Sequence, residues 1–236
     1  MPSDHKSLDL VGLGKIAEAI PDEVYIKTAD SALEIVDKAL SPLVELTSGL
    51  GLLIRQKFET MVEMERALGA ITIENAVKKA RQKALEKGIG LIKPIHEKSF
   101  IKSIEEAARE SDPILHDMWE NLLANQLINV NFHPNFVNIL SSISPEEAKI
   151  LVKIKNINEV GETSGGFFLF TDDGFKNWVT HSGDMELREW NYPCVLLYEY
   201  RLIDLLSPKE GVYKQEDAVV ILYRTKSGDL LLDAVK

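Results

Sequence analysis

From Leu43 onward the apolar positions of this chain step by three or four residues: Leu43, Leu46, Leu50, Ile54, Phe58, Met61, Met64, Leu68 and Ile71. Their mean spacing is about 3.5, the value of a coiled-coil seam. The spacing predicts one long helix with a continuous apolar stripe, extending as far as Lys87-Gly88. Gly49, Gly51 and Gly69 each weaken that helix by about 1 kcal/mol relative to alanine. Upstream, Asp30 is a predicted N-cap for the amphipathic run SALEIVDKAL. Ser41-Pro42 then reads as a fresh start, with serine as cap and proline at the first helical position. A stripe of this length needs a cover. The intrachain candidate is a second long helix over Lys98–Glu110; the alternative is a second copy, a homodimer through the 43–71 seam.

The stretch from Asp112 to Leu151 carries three further helix starts. Asp112-Pro113 repeats the cap-then-proline pattern and launches ILHDMWENLLANQLIN. On a helical wheel Ile114, Leu115, Met118, Trp119, Leu122 and Leu123 form one broad apolar face, with His116, Asp117 and Glu120 opposite. Asn125 and Asn129 fall on the apolar face. A buried asparagine must find specific partners, and the nearest are the backbone groups of the turn Asn131-Phe132-His133-Pro134. That turn must reverse the chain before Phe136, Val137 and Leu140 can pack back. Ser144-Pro145-Glu146-Glu147 has the spacing of a capping box, Ser144 as cap and Glu147 as its reciprocal partner.

After Asn156 the pattern changes. TSGGFFLFTDDGF reads as a short β element between Gly-Gly and Asp-Asp-Gly turns. Tyr192-Pro193 opens a helix through VLLYEY, RLIDLL and a long turn follow, AVVILYR reads as a strand, and TKSGDLLLDAV as a terminal helix. Helices followed by strands and a wing-like loop suggest a winged-helix-like module beginning at Ser144. The expected fold class is therefore mainly α: a long helical hairpin or bundle, then a small α+β C-terminal module. The expected division is a loosely ordered lead-in at 1–28, a helical domain at 29–143 and the α+β module at 144–236.

Charge narrows the chemistry. The 236 residues carry 37 Asp and Glu against 27 Lys and Arg, a net of −10, which makes a nucleic-acid coat improbable. Charge is unevenly spread: residues 78–102 hold eight Lys or Arg and two Glu, whereas residues 156–217 hold five basic and twelve acidic residues. A solvated helix face is the commonest origin of such a basic run; anionic lipid, nucleic acid or the acidic half of the chain are its other uses. The one cysteine, Cys194, leaves no intrachain disulfide. Its apolar helical context favours an inert thiol. His116 and Glu120 stand one turn apart, but two ligands are not a metal site, and no HExxH, CxxC, P-loop, GxGxxG or GxSxG spacing is present. No cofactor, metal or catalytic set is expected. Neither a signal peptide nor a bilayer-spanning run is expected; residues 39–54, the closest to one, are short and contain Glu45. A cytoplasmic location follows, with peripheral contact at the inner face of the membrane as an option.

Three runs in this region carry a resemblance: W-x-N-L-L-A-N at Trp119–Asn125, H-P-x-F-V at His133–Val137, and S-x-x-x-A-K-I-L at Ser144–Leu151. In order and spacing they resemble the abortive-infection alpha (Abi-alpha) family of bacterial proteins associated with phage defence. SPLVELTSGLG and QKALEKGI are similar to upstream regions of that family, so the resemblance spans residues 30 to about 155. It implies a mostly helical protein of abortive-infection or phage-defence settings, without an established catalytic site. The leading expectation built on it is a non-enzymatic sensor or effector that contacts a protein partner or phage component. The candidate interaction residues are Trp119, Asn121, Asn125, His133 and Pro134. The bland reading makes Trp119 core and lets Asn125, His133 and Pro134 fix a turn. The alternative function is a DNA-binding transcriptional regulator using the C-terminal module. Its candidate recognition helix, Cys194–Tyr200, contains Glu199 and no basic residue before Arg201, so protein contact suits the module better.

Overall fold

The computed structural model describes residues 31–41, 43, 49–154, 192–206 and 221–236. The expected lead-in at 1–28, the Asp30 cap, the start at Pro42, the β element around TSGGFFLFTDDGF and the wing-like loop lie outside the described residues. What is described is mainly helical, with nine helices and one antiparallel pair of short strands near the C-terminus. The chain divides into two compact units, Met1–Ser141 with Ala234–Lys236, and Ser142–Asp233.

The first unit contains α1 (Ala32–Leu40), α2 (Gly49–Thr60), α3 (Glu63–Lys87), α4 (Glu97–Arg109), α5 (Pro113–Gln126) and α6 (Asn135–Leu140). The 25-residue α3 is its centre and packs against α1, α4 and α5. Alanines at 67, 70, 76, 80 and 84 are buried along it, and such small side chains let neighbouring helices approach. It ends at Gly88, whose φ of 64° is the left-handed conformation of a C-cap, with Gly88 N–H donating to Leu85 O and Ile89 N–H to Ala84 O.

The continuous helix expected over the 43–71 seam is not formed: the chain breaks between Thr60 and Glu63. Val62 is extended at φ −69°, ψ 160°. The Arg66 guanidinium reaches back over the break, donating to Phe58 O at 3.1 Å and Met61 O at 3.0 Å. It thereby satisfies carbonyls that the end of α2 leaves open. The break brings α3 back against α2. A Cβ on Gly69 would lie 3.2 Å from the Phe58 ring and 3.4 Å from Ala108 Cβ, so the missing side chain is what lets these surfaces close. Leu50, Ile54, Phe58, Met61 and Leu68 of the seam are buried within the chain, while Met64 is exposed. The second long helix expected at Lys98–Glu110 is α4, and it packs on both α2 and α3.

The second unit contains α7 (Pro145–Lys153), α8 (Tyr192–Glu199), β1 (Ile203–Leu206), β2 (Ile221–Arg224) and most of α9 (Lys226–Ala234). The expected capping box is present: Ser144 Oγ accepts from Glu146 N–H and the Glu147 carboxylate accepts from Ser144 N–H. β1 and β2 pair antiparallel with Ile203 opposite Arg224 and Leu206 opposite Ile221. Arg224 donates to Asp229 Oδ1 at 2.6 Å and Ile154 O at 2.6 Å, joining the strand to both α9 and the end of α7. Gly228 sits against the backbone: a Cβ there would stand 2.2 Å from Leu202 O.

Candidate functional site

α5 begins as its sequence predicts, with Asp112 Oδ1 accepting from Ile114 and Leu115 N–H and proline at the first turn. Its environment departs from the predicted wheel. α5 packs against α3, α4 and α6, so little of it stays solvated; Asp117 of the predicted polar face remains exposed. Every residue from Met118 to Gln126 is buried, Glu120 included at 7% exposure, whereas Ile114, expected on the core face, is 38% exposed. The solvated salt-bridging face expected for His116 and Glu120 is instead a polar seam beneath α3.

That seam is built from a stripe on α3 and two turns of α5. Thr72, Asn75, Lys79 and Lys83 recur at three- and four-residue steps, so they share one face of α3. Thr72 Oγ1 lies 3.4 Å from His116 Nε2. Asn75 Nδ2 donates to Glu120 Oε1 at 2.8 Å. Lys79 Nζ reaches Asp117 Oδ1 at 2.5 Å and Glu120 Oε2 at 2.8 Å. Lys83 Nζ donates to Asn121 Oδ1 at 2.9 Å and also to the Lys236 backbone carbonyl. Asn121 Nδ2 closes the network on Asp117 O and Oδ2. Two lysines of the basic run, Lys79 and Lys83, are thus answered by α5.

The electrostatics follow from this packing. Burial alone would push the Glu120 carboxyl up. Hydrogen bonds from His116, Lys79 and Asn75, with the Lys79 charge, outweigh it and hold the group at about 2, against an ordinary 4.5. Burial would also lower Lys79, but its bonds to Asp117 and Glu120 raise it above its ordinary 10.5. Lys83 is lowered, by burial first and then by repulsion from Lys79 and Lys87. His116 Nδ1 is buried with no hydrogen-bond partner among the described residues, and so is Gln126 Oε1.

The five candidate interaction residues separate into two groups. Trp119 is 1% exposed and packs in the core. Asn121 belongs to the polar seam. Asn125 is bonded through Asn129, whose Nδ2 donates to Asn125 Oδ1 at 3.0 Å and whose Oδ1 accepts from Asn131 N–H at 2.9 Å. The bond to the turn is therefore made through Asn129, not by Asn125 itself. His133 is exposed and Pro134 half-buried. His133 Nδ1 accepts from Asn135 N–H at 3.2 Å, and Phe132 and Phe136 meet edge to face at 6.0 Å below it. His133 and Pro134 line a cleft of about 370 Å³ with Lys98 and Lys102 of α4 and Asn135 and Asn138 of α6. The wheel missed Glu120, Asn75, Lys79 and Lys83 because their significance lies in the pairing of two helices 38–45 residues apart in sequence.

In the second unit Cys194 is fully buried. Burial, and then the negative charge of Glu147, push its thiol up to about 12, so the nucleophilic thiolate is suppressed at neutral pH. No group of three or more His, Cys, Asp or Glu side chains placed to hold a metal ion occurs among the described residues.

This is a helical domain organised around one polar seam and one motif-lined cleft. Residues 72–177 match the family model Abortive infection alpha. The match bears out the resemblance carried by the tryptophan–asparagine, His-Pro and capping-box runs, and indicates an abortive-infection-related role. It begins at Thr72, so QKALEKGI falls inside it and SPLVELTSGLG does not. No match was found among curated proteins or solved structures.

Proposed function

We propose that this protein acts in phage defence as a non-enzymatic sensor or effector, working in the cytoplasm by contact with a protein partner or phage component. The observation that carries the reading is the family match over 72–177, which contains α5, the polar seam and the cleft. Within that region Trp119, Asn121 and Asn125 are spent on packing and internal hydrogen bonds, leaving His133, Pro134 and the lysines around them for contact.

Membrane contact is a narrower form of the same idea. No helix among the described residues is long and apolar enough to cross a membrane. In the 39–54 segment Leu50 and Ile54 are fully buried, while Leu52 and Leu53 are 54% and 47% exposed. A peripheral contact would use that exposed pair; insertion of the whole segment would first require α2 to leave its packing.

Phage plating and culture survival test the proposal, with the full chain expressed against a His133→Ala, Lys98→Gln double variant. Protection by the parent and loss by a variant that still melts at the parent temperature is the expected result. Equal protection by both removes the His133 surface from the mechanism. Absence of protection by the parent, with a partner co-expressed from infected cells as well as without, overturns the defence reading. The DNA-binding alternative would appear as duplex affinity falling steeply with salt.

A further inference from the structure

Four lysines of the first unit are answered by carboxylates. Lys57 pairs with Glu105, Lys78 with Glu74, Lys79 with Asp117 and Glu120, and Lys93 with Glu97. Lys98 and Lys102, like Lys83, make no ion pair among the described residues, but of these three they alone share a cleft. They stand one turn apart on α4 and both line the cleft beside His133. Lys102 Nζ donates to Asn138 Oδ1 at 2.9 Å and Ser141 Oγ at 3.3 Å, both neutral acceptors. Among the described residues neither lysine has a carboxylate partner, and no Asp or Glu lines the cleft. In a chain with 37 acidic residues and a net charge of −10, a concavity whose described lining holds two cations and no acid is locally positive.

The other walls are donors as well. Asn135 N–H donates to His133 Nδ1 at 3.2 Å. A neutral His133 ring therefore carries its proton on Nε2, which makes that atom a donor. Ser99 supplies a hydroxyl and Asn135 a side-chain amide at the same opening. Together with the two ammonium groups these outnumber the two oxygens of a carboxylate. They suit a tetrahedral oxyanion, whose several oxygens take charge-assisted bonds from lysine and neutral bonds from hydroxyl and amide. The volume of about 370 Å³ falls within the ~300–1,000 Å³ range of small-molecule sites. Pro134 and Val137 add apolar wall for the body that carries the anion.

We propose that the cleft between the start of α4 and the His133–Asn138 segment is a binding site for a terminal phosphate group, carried either on a soluble small molecule or on a lipid headgroup. The inference does not need the defence reading: plating can fail while this site binds, and the reverse.

Titration of the full chain at low salt, followed by NMR of the His133 ring and by calorimetry, tests it. The probes are adenosine 5′-monophosphate, inorganic phosphate, adenosine as the uncharged control, and phosphatidylcholine vesicles with and without phosphatidic acid. Lys98 is exposed and unpaired among the described residues, so Lys98→Gln leaves the melting temperature unchanged. It should weaken binding about tenfold, the loss of one charge-assisted bond, and Lys98→Arg should restore much of it. Lys87→Gln, an exposed lysine outside the cleft, should have no effect. Lys98-dependent binding of the soluble probes places the phosphate in solution; Lys98-dependent binding to phosphatidic acid vesicles alone places it on a lipid. Three results overturn the proposal: no phosphate probe binding at millimolar concentration, equal weakening by Lys87→Gln, or adenosine binding as well as its monophosphate.

Discussion

The seam between α3 and α5 and the cleft beside α4 use the same side chain, lysine, to opposite ends. In the seam Lys79 meets two carboxylates and Lys83 meets Asn121 and a backbone carbonyl. In the cleft Lys102 meets only an amide and a hydroxyl, and Lys98 has no ion-pair partner among the described residues. A cation taken out of water is tolerable when a fixed countercharge replaces its hydration; removing one member of such a pair is then costly. A cation left on an open wall costs little to place and stays free to meet a mobile anion. The seam is thus architecture, and the cleft is surface held ready.

Variants along this contrast should rank by burial. Trp119→Ala, in the core beside the seam, is expected to cost about 3–5 kcal/mol in urea unfolding; a loss below 1 kcal/mol would show that α5 is not packed as described. Glu120→Gln should cost about 1.5–3 kcal/mol, since it weakens charge-assisted bonds from Lys79 and Asn75. Its pH signature is more telling. The Glu120 carboxyl is held at about 2 instead of 4.5, so the fold favours the ionised form. That stabilisation is complete above pH 4.5 and is lost as the pH falls toward 2. Urea stability of the parent should decline across that window, and Glu120→Gln should remove that part of the decline. An identical pH slope in the two proteins would mean that the seam does not hold the carboxylate.

Gly69→Ala comes next. Alanine gains about 1 kcal/mol of helix propensity, but its Cβ would lie 3.2 Å from the Phe58 ring and 3.4 Å from Ala108 Cβ, both fully buried, so the ring must shift by a few tenths of an ångström. Overpacking of about 1–3 kcal/mol should win, for a net loss of about 1 kcal/mol. A stabilised variant would show that the α2–α3 contact is loose. The smallest change belongs to the cleft: His133→Ala should alter stability by no more than about 0.5 kcal/mol while weakening binding of adenosine 5′-monophosphate several-fold. A large loss of melting temperature would move His133 from surface to architecture.

Much of the local structure was written in short signals. The Asp112-Pro113 and Ser144-Pro145 starts, the capping box with Glu147, the stop at Gly88 and the helix from Tyr192 all act within one turn of chain, and all are found as expected. So is the second long helix over Lys98–Glu110. The break after Thr60 was not legible, because the three- and four-residue steps of the apolar stripe run through it without a proline or glycine. The device that supports it, Arg66 bonding Phe58 O and Met61 O, is a side-chain reach that no periodicity registers.

By itself, then, the sequence determined the helical class of the protein, most of its helix starts, and the motif runs that resemble the abortive-infection alpha family. These depend on caps, turns and spacing, interactions local enough to be read in a line. The tertiary structure decided which polar residues are interior and which face outward. Glu120 and Asn121 became core because α3 lies across them with Asn75, Lys79 and Lys83 to meet their oxygens. His133 and Lys98 stayed open because nothing among the described residues covers them. Burial and charge pairing are properties of two surfaces brought together, and the second surface is never adjacent in sequence.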